Sequence, residues 1–181
     1  MARPIRRGAL RAPLFIAVVL VAVALSRCGS DGGSSEPSGP ITVRVTHVVD
    51  GDTIDVRMPD EDEETVRYIG IDTPETVKPE TPVQCGGPNA HAVNERLVGS
   101  RTVTLRFDAE PRDIYGRLLA YVYLPAAKPG GGSLFVNAEL LRRGLARTLT
   151  IPPNDSFASL FARLAARAGA LGRGLWGSCP L

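Results

Sequence analysis

"ITVRVTHVVDGDTIDVRMPDEDEETVRYIGI" (residues 41–71) decides the fold. Ile41–Val49 is rich in β-branched residues and alternates weakly between apolar and polar, so it reads as a strand. Asp50-Gly51 is a two-residue hairpin signal. Asp52–Met58 then returns as a second strand, and "PDEDEE" (59–64) is an acidic turn whose charges belong in solvent. Thr65–Ile71 is a third strand. Three consecutive strands joined by short turns begin an antiparallel, all-β unit.

Working outward toward the C-terminus, residues 76–88 carry three Pro and two Gly and read as a loop. "NAHAVNERLVG" (89–99) has helical spacing, with Gly99 as its stop. "RTVTLRF" (101–107) and "GRLLAYVYL" (116–124) are two more strands, separated by the polar, turn-like "DAEPRDIY" (108–115). A loop at 128–133 precedes a helix over 135–144 that ends at Gly144. The last helix spans 156–172 and gathers Phe157, Leu160, Phe161 and Leu164 on one side. Five strands with helices late in the chain predict a mainly β fold with α: a small closed barrel carrying about three helices.

Working outward toward the N-terminus, the composition changes. Arg3, Arg6, Arg7 and Arg11 precede "APLFIAVVLVAVAL" (12–25), which has no charge over 14 positions. The run is short for a membrane span and suits the apolar core of a signal peptide over residues 1–27, with an uncleaved membrane anchor as the alternative. Those residues hold five Arg and no acid. Removing these five from the 21 basic side chains leaves 16 against 19 acidic ones, a net charge of −3. A general basic character therefore gives no argument for a nucleic-acid partner, and any attraction to phosphate must be local.

Cys28 follows "ALSR", which resembles a bacterial lipoprotein cleavage box with Cys28 as the lipidated residue. Arg27 stands where that box expects Gly or Ala. The alternative is an incidental Cys near an ordinary cleavage site. The Gly/Ser/Pro tract through residue 40 reads as a flexible tether (28–40) to a domain at 41–181. With Cys28 set aside, Cys85 and Cys179 remain. An even pair in an exported domain favours a disulfide over two free thiols. No CxxC or Cys/His spacing points to zinc.

Three carboxylates and two arginines carry the chemistry. Asp52 follows the first turn, while Asp72 and Glu75 end the third strand. In a three-strand meander those positions share one end of the sheet, so the acids can converge. Asp52 and Asp72, with a backbone carbonyl such as that of Thr73, are hard oxygen ligands suited to Ca²⁺ or Mg²⁺. Taken singly, each acid reads more readily as a turn or solvated residue. Arg67 poses a geometric question. Side chains alternate along a flat strand, so Arg67 and Asp72 should face opposite sides. They can serve one site only if the strand bends, and Gly70 is the natural place for that. Otherwise Arg67 is an exposed strand residue in a cross-strand ion pair. "RDIYGRLLAYVY" (112–123) places Asp113, Tyr115 and Arg117 around a Gly turn. Two guanidinium groups can fork onto phosphoryl oxygens and lower the barrier to attack at phosphorus. A metal adds Lewis acidity and a spare carboxylate can handle water.

At this point "VVDGDTIDV", "VRYIGIDTPET", "DIYGRLLAYVY", "VNAELLRRGLAR" and "GRGLW" stand in the order and rough spacing of the thermonuclease (staphylococcal-nuclease-like) family, and the resemblance covers about residues 41–178. It implies an OB-fold barrel with three helices and a Ca²⁺-dependent nuclease that cleaves DNA and RNA, leaving 3′-phosphates. Matched by motif, Asp52 and Asp72 resemble the calcium carboxylates, with the Thr73 carbonyl beside them. Glu75 resembles the acid that handles the attacking water. Arg67 and Arg117 resemble the phosphate-binding arginines of catalysis, and Tyr115, with Asp113 beside it, falls at the substrate. Two departures stand out. Ile114 replaces a lysine found beside the tyrosine in a well-studied subtype, and "TLTIPP" (148–153) has no aromatic where many relatives place tyrosines. The implied protein is an exported monomer, secreted or held at the cell surface by lipid on Cys28. Two rivals remain: a barrel that binds nucleic acid or protein without catalysis, and a calcium-binding surface lipoprotein. The second gives Arg67 and Arg117 no task.

Overall fold

Val43, Val45 and Val48 turn inward from β1 (Ile41–Val48), and the alternation slips between Val45 and His47, where a bulge shifts the register against the next strand. The molecule is described here from a computed structural model, for residues 39–76, 82–128 and 130–179. The 1–27 segment, Cys28 and nearly all of the 28–40 tether lie outside the described residues.

β1 pairs antiparallel with β2 (Thr53–Arg57) on one side and with β5 (Thr102–Arg106) on the other. β2 pairs with β3 (Glu63–Tyr68), and β5 with β6 (Leu118–Leu124). The ring closes through a parallel pairing of β3 with β6, with Val66 opposite Leu118 and Tyr68 opposite Ala120. The result is the closed five-strand barrel expected from the sequence, with the three expected helices as α1 (Gly87–Val98), α2 (Val136–Arg142) and α3 (Ala158–Ala170). Ile54, Val56, Val66, Leu105, Leu118 and Val122 are fully buried, and Val93, Leu140 and Phe161 from the three helices join the same core. A two-residue β7 (Leu134–Phe135) extends the sheet beside β6, and a short α4 (Leu175–Ser178) follows α3.

The Asp50-Gly51 signal does not form a two-residue hairpin. β1 ends at Val48 and β2 starts at Thr53, so four residues connect them. The Val49 and Asp50 N–H groups both donate to the Thr53 carbonyl, and the Asp50 carboxylate accepts from the Asp52 N–H at 3.0 Å. Packing widens the turn. A Cβ on Gly51 would meet the Thr73 side chain at 2.7 Å, and Asn94 of α1 donates to the Asp50 carbonyl at 3.0 Å. Asn94 also accepts from the buried Tyr68 hydroxyl, so one helix residue ties this turn to the end of β3.

The expected strand over 65–71 also divides. Gly70 takes φ +79°, which ends β3 at Tyr68 and starts β4 (Gly70–Asp72) in a new direction. β4 pairs with β8 (Arg147–Leu149), a strand with too few residues to show a period. The break frees backbone groups that must find partners. The Ile69 N–H donates to the Ala120 carbonyl, and the buried Asn137 of α2 donates to the Ile69 carbonyl while accepting from Val122 N–H. A Cβ at residue 70 would meet the Phe161 ring at 2.5 Å, and that ring is buried. Left-handed strain and overpacking combine, so Gly70→Ala is expected to lose about 2–4 kcal/mol of stability. Urea unfolding checks this, and an unchanged midpoint would mean that the chain does not need its break here.

Candidate active site

The divided strand brings the sequence's charged residues together. Asp52 is 3% exposed in the β1–β2 turn. Its backbone carbonyl accepts from Tyr68 N–H, and its carboxylate accepts from Thr73 N–H at 2.6 Å and from the Thr53 hydroxyl. Arg67 reaches it from β3 with Nη1 2.6 Å from Asp52 Oδ2, while Nη2 donates to Asp72 Oδ1 at 2.9 Å. One guanidinium therefore spans the two carboxylates. Without the turn at Gly70, residues 67 and 72 would lie on opposite faces.

Burial pushes the Asp52 carboxyl up to about 7, and the neighbouring Asp50 adds to that shift. Arg67 and the Thr73 amide oppose it. A carboxylate in this setting is stabilised by added positive charge. Asp52, Asp72 and the Thr73 carbonyl are hard oxygen donors, and the buried Thr73 hydroxyl has no hydrogen-bond partner among the described residues. This chemistry fits a hard divalent cation. No cluster of three or more His, Cys, Asp or Glu side chains suited to a metal occurs among the described residues. Two carboxylates and a carbonyl would thus fill only part of a coordination shell, the rest falling to water or substrate oxygens.

Arg117 approaches from the turn before β6. Asp113 holds it through one carboxylate oxygen, with Nε 2.8 Å and Nη2 2.7 Å from Oδ2. The other Asp113 oxygen accepts from the Tyr115 and Arg117 N–H groups, and Gly116 closes the turn at φ +84°. Asp113 thus organises the turn and aims Arg117. Tyr115 is exposed, with the Arg117 guanidinium 5.5 Å from its ring centre. Arg112 in the same turn is anchored to the barrel by two bonds to Glu64 of β3, at 2.7 and 3.0 Å. Sequence reading missed Arg112 and Glu64 in this supporting role. Opposite charges 48 residues apart give no local signal.

A cavity of about 440 Å³ gathers Arg67, Asp113, Tyr115 and Arg117, with Ile114, Leu149 and Ile151 as apolar lining. The non-aromatic segment at 148–153 therefore contributes Leu149 and Ile151 to this cavity wall. Glu75 lies outside that lining, three residues beyond Asp72. Its N–H donates to Gln84 Oε1 and its carbonyl accepts from Gln84 N–H, both at 3.0 Å. The Glu75 carboxylate also accepts from Thr76 N–H. Gln84 precedes Cys85, which is joined to Cys179 by a disulfide. The segment carrying Glu75 is thereby tied to the C-terminal turn.

Residues 65–178 match the family described as Staphylococcal nuclease homologue. The thermonuclease of Staphylococcus intermedius is 40% identical over 147 residues, spanning 80% of this chain and 83% of that protein. The thermonuclease of Staphylococcus hyicus is 38% identical over 135 residues, 75% of each chain. Endonuclease YncB of Bacillus subtilis is 41% identical over 123 residues, 67% of this chain and 54% of that protein. With the closed barrel, its three helices and a match over most of its length, the chain belongs to the staphylococcal nuclease homologue family.

Proposed function

We propose that this protein is an exported, calcium-dependent endonuclease that hydrolyses phosphodiester bonds of DNA and RNA and leaves 3′-phosphates. The observation that carries the reading is the cleft that places Arg67 and Arg117 on one cavity, with Arg67 ion-paired to the carboxylates of Asp52 and Asp72. A non-catalytic barrel has no need of that combination. The names borne by its relatives, thermonuclease and endonuclease, support the same chemistry.

The residues divide the work by their chemistry. A guanidinium has more N–H donors than the one Arg67 uses in its hydrogen bond to Asp72, so it can also turn donors toward a phosphoryl oxygen in the cavity. Arg117, aimed by Asp113, supplies the second fork. Negative charge growing on those oxygens during attack is then met by groups already in place. Glu75 positions the attacking water and accepts its proton, from a segment held by Gln84. Tyr115 flanks the substrate at the cavity rim. Asp52, Asp72 and the Thr73 carbonyl would hold Ca²⁺, which when bound supplies Lewis acidity at a phosphoryl oxygen. In this reading the mature chain is a monomer, and Cys28 either carries lipid at the cell surface or is lost as the chain is secreted.

Release of acid-soluble nucleotides tests the activity. DNA and RNA should both be degraded with Ca²⁺ present, and a chelator should abolish this. Full activity in chelator would remove the calcium assignment, and no release under any condition would remove the nuclease.

A further inference from the structure

The β4–β8 ribbon borders a second cleft as well as the first. Gly70 pairs with Leu149 and Asp72 pairs with Arg147, and these two pairs lie two residues apart on the same face. Gly70 and Leu149 line the cavity that holds Arg67 and Arg117. Asp72 and Arg147 line a separate cleft of about 290 Å³ together with Gln84, Pro74 and Leu175. The two clefts thus share this ribbon, whose two backbone pairs lie about 7 Å apart at the rise of an extended strand. That is comparable to one step along an extended nucleotide strand.

The chemistry of this second cleft suits phosphate. Arg147 is exposed and has no carboxylate partner among the described residues. Its guanidinium carbon lies 5.8 Å from the ring centre of Trp176, so the indole orients the head without neutralising it. The other three cleft and cavity arginines described above (Arg67, Arg112 and Arg117) are all paired with acids. Gln84 turns Oε1 to the Glu75 N–H, which makes Nε2 the donor end of its amide toward a ligand. A bound anion here would meet the Arg147 cation and the Gln84 amide, with the Asp72 carboxylate of the same lining already paired with Arg67.

We propose that this cleft is a second phosphate subsite, in which Arg147 holds the backbone phosphate of a polynucleotide next to the one gripped by Arg67 and Arg117. The inference rests on the nuclease reading above and deepens it. It gives the enzyme a preference for chains over esters with a single phosphate, through binding rather than through the chemical step. Trp176 is the positioning residue for Arg147.

Arg147→Ala tests it. On single-stranded DNA, KM should rise about tenfold, the factor that loss of one charge-assisted contact produces. The dependence of log(kcat/KM) on log[salt] should become shallower by about 0.7, the value for one single-strand phosphate contact. Turnover at saturating DNA should hold, as should kcat/KM on a nitrophenyl phosphodiester of one nucleoside. Arg147→Lys should keep most of the salt slope. An unchanged KM and slope on DNA would overturn the subsite, and so would an equal loss on both substrates, which would place Arg147 at the reacting phosphate instead. If the wild-type protein hydrolyses neither substrate, the nuclease reading fails on its own. The subsite is then judged by anisotropy of fluorescein-labelled oligothymidylate, where equal affinity of wild type and Arg147→Ala would overturn it.

Discussion

Glu75→Gln is expected to lower phosphodiester hydrolysis by at least about 10²–10³-fold, the scale set by removing one preorganised catalytic group. The substitution keeps the side chain's shape and leaves the two hydrogen bonds between the residue 75 backbone and Gln84 in place, so the fold should persist. Arg117→Ala should fall by a similar factor, because its guanidinium lies on a turn whose backbone is set by Asp113 independently of the side chain. Arg67→Ala is a different experiment. It removes a phosphate donor and also leaves the buried Asp52 without its cation. Breaking a buried pair on one side typically destabilises by about 3–5 kcal/mol, an upper figure where the remaining acid can take up a proton. Arg67→Lys keeps the charge near Asp52 and separates the two effects. Steady-state rates with thermal unfolding of each variant give the comparison. Unchanged turnover in purified, folded Glu75→Gln would remove its assigned role, and unchanged turnover in Arg117→Ala would remove the second phosphate fork.

The second large effect is on stability. Cys85 and Cys179 close a loop of 94 residues, most of the folded domain. Replacing both by Ser should lower stability by about 2–5 kcal/mol, because the unfolded chain regains the freedom the crosslink withheld. For a domain of this size the melting temperature should drop on the order of 10 °C. The denaturant slope should rise as well, since an uncrosslinked unfolded chain exposes more surface. Reductant on the wild-type protein should reproduce both changes, as Cys85 is exposed. Equal midpoints for the double variant and the oxidised wild type would show that the bridge contributes nothing to the folded state's advantage.

Much of the architecture was legible in the chain because it is written in local periods. Alternation at Ile41–Val48, the apolar β-forming run at Leu118–Leu124 and helical spacing at residues 89–99 and 156–172 are set within a few residues of chain. The need for a bend at Gly70 was legible too, from the parity of positions 67 and 72 against the chemistry they would share. Other features depend on partners far along the chain. The parallel closure of β3 on β6 joins residues about 50 apart, and no pattern inside either strand names the other. The β1–β2 turn carries a strong two-residue signal, yet Gly51 sits close against Thr73 and Asn94 holds the Asp50 carbonyl in a four-residue connection. Asp113 reads as a substrate residue by its place in a motif, whereas its hydrogen bonds make it the anchor of Arg117. Arg147 carries no mark in the sequence at all. Its position opposite Asp72 comes from a three-residue strand that exists only because β4 offers it an edge. The sequence by itself determined the five barrel strands, the three main helices and the residues around Asp52, Arg67, Asp72, Glu75 and Arg117 suited to phosphate chemistry. Tertiary structure alone decided which of those residues share a cleft and which cation is left without an acid, because those outcomes depend on burial and on pairing between segments that a local period cannot encode.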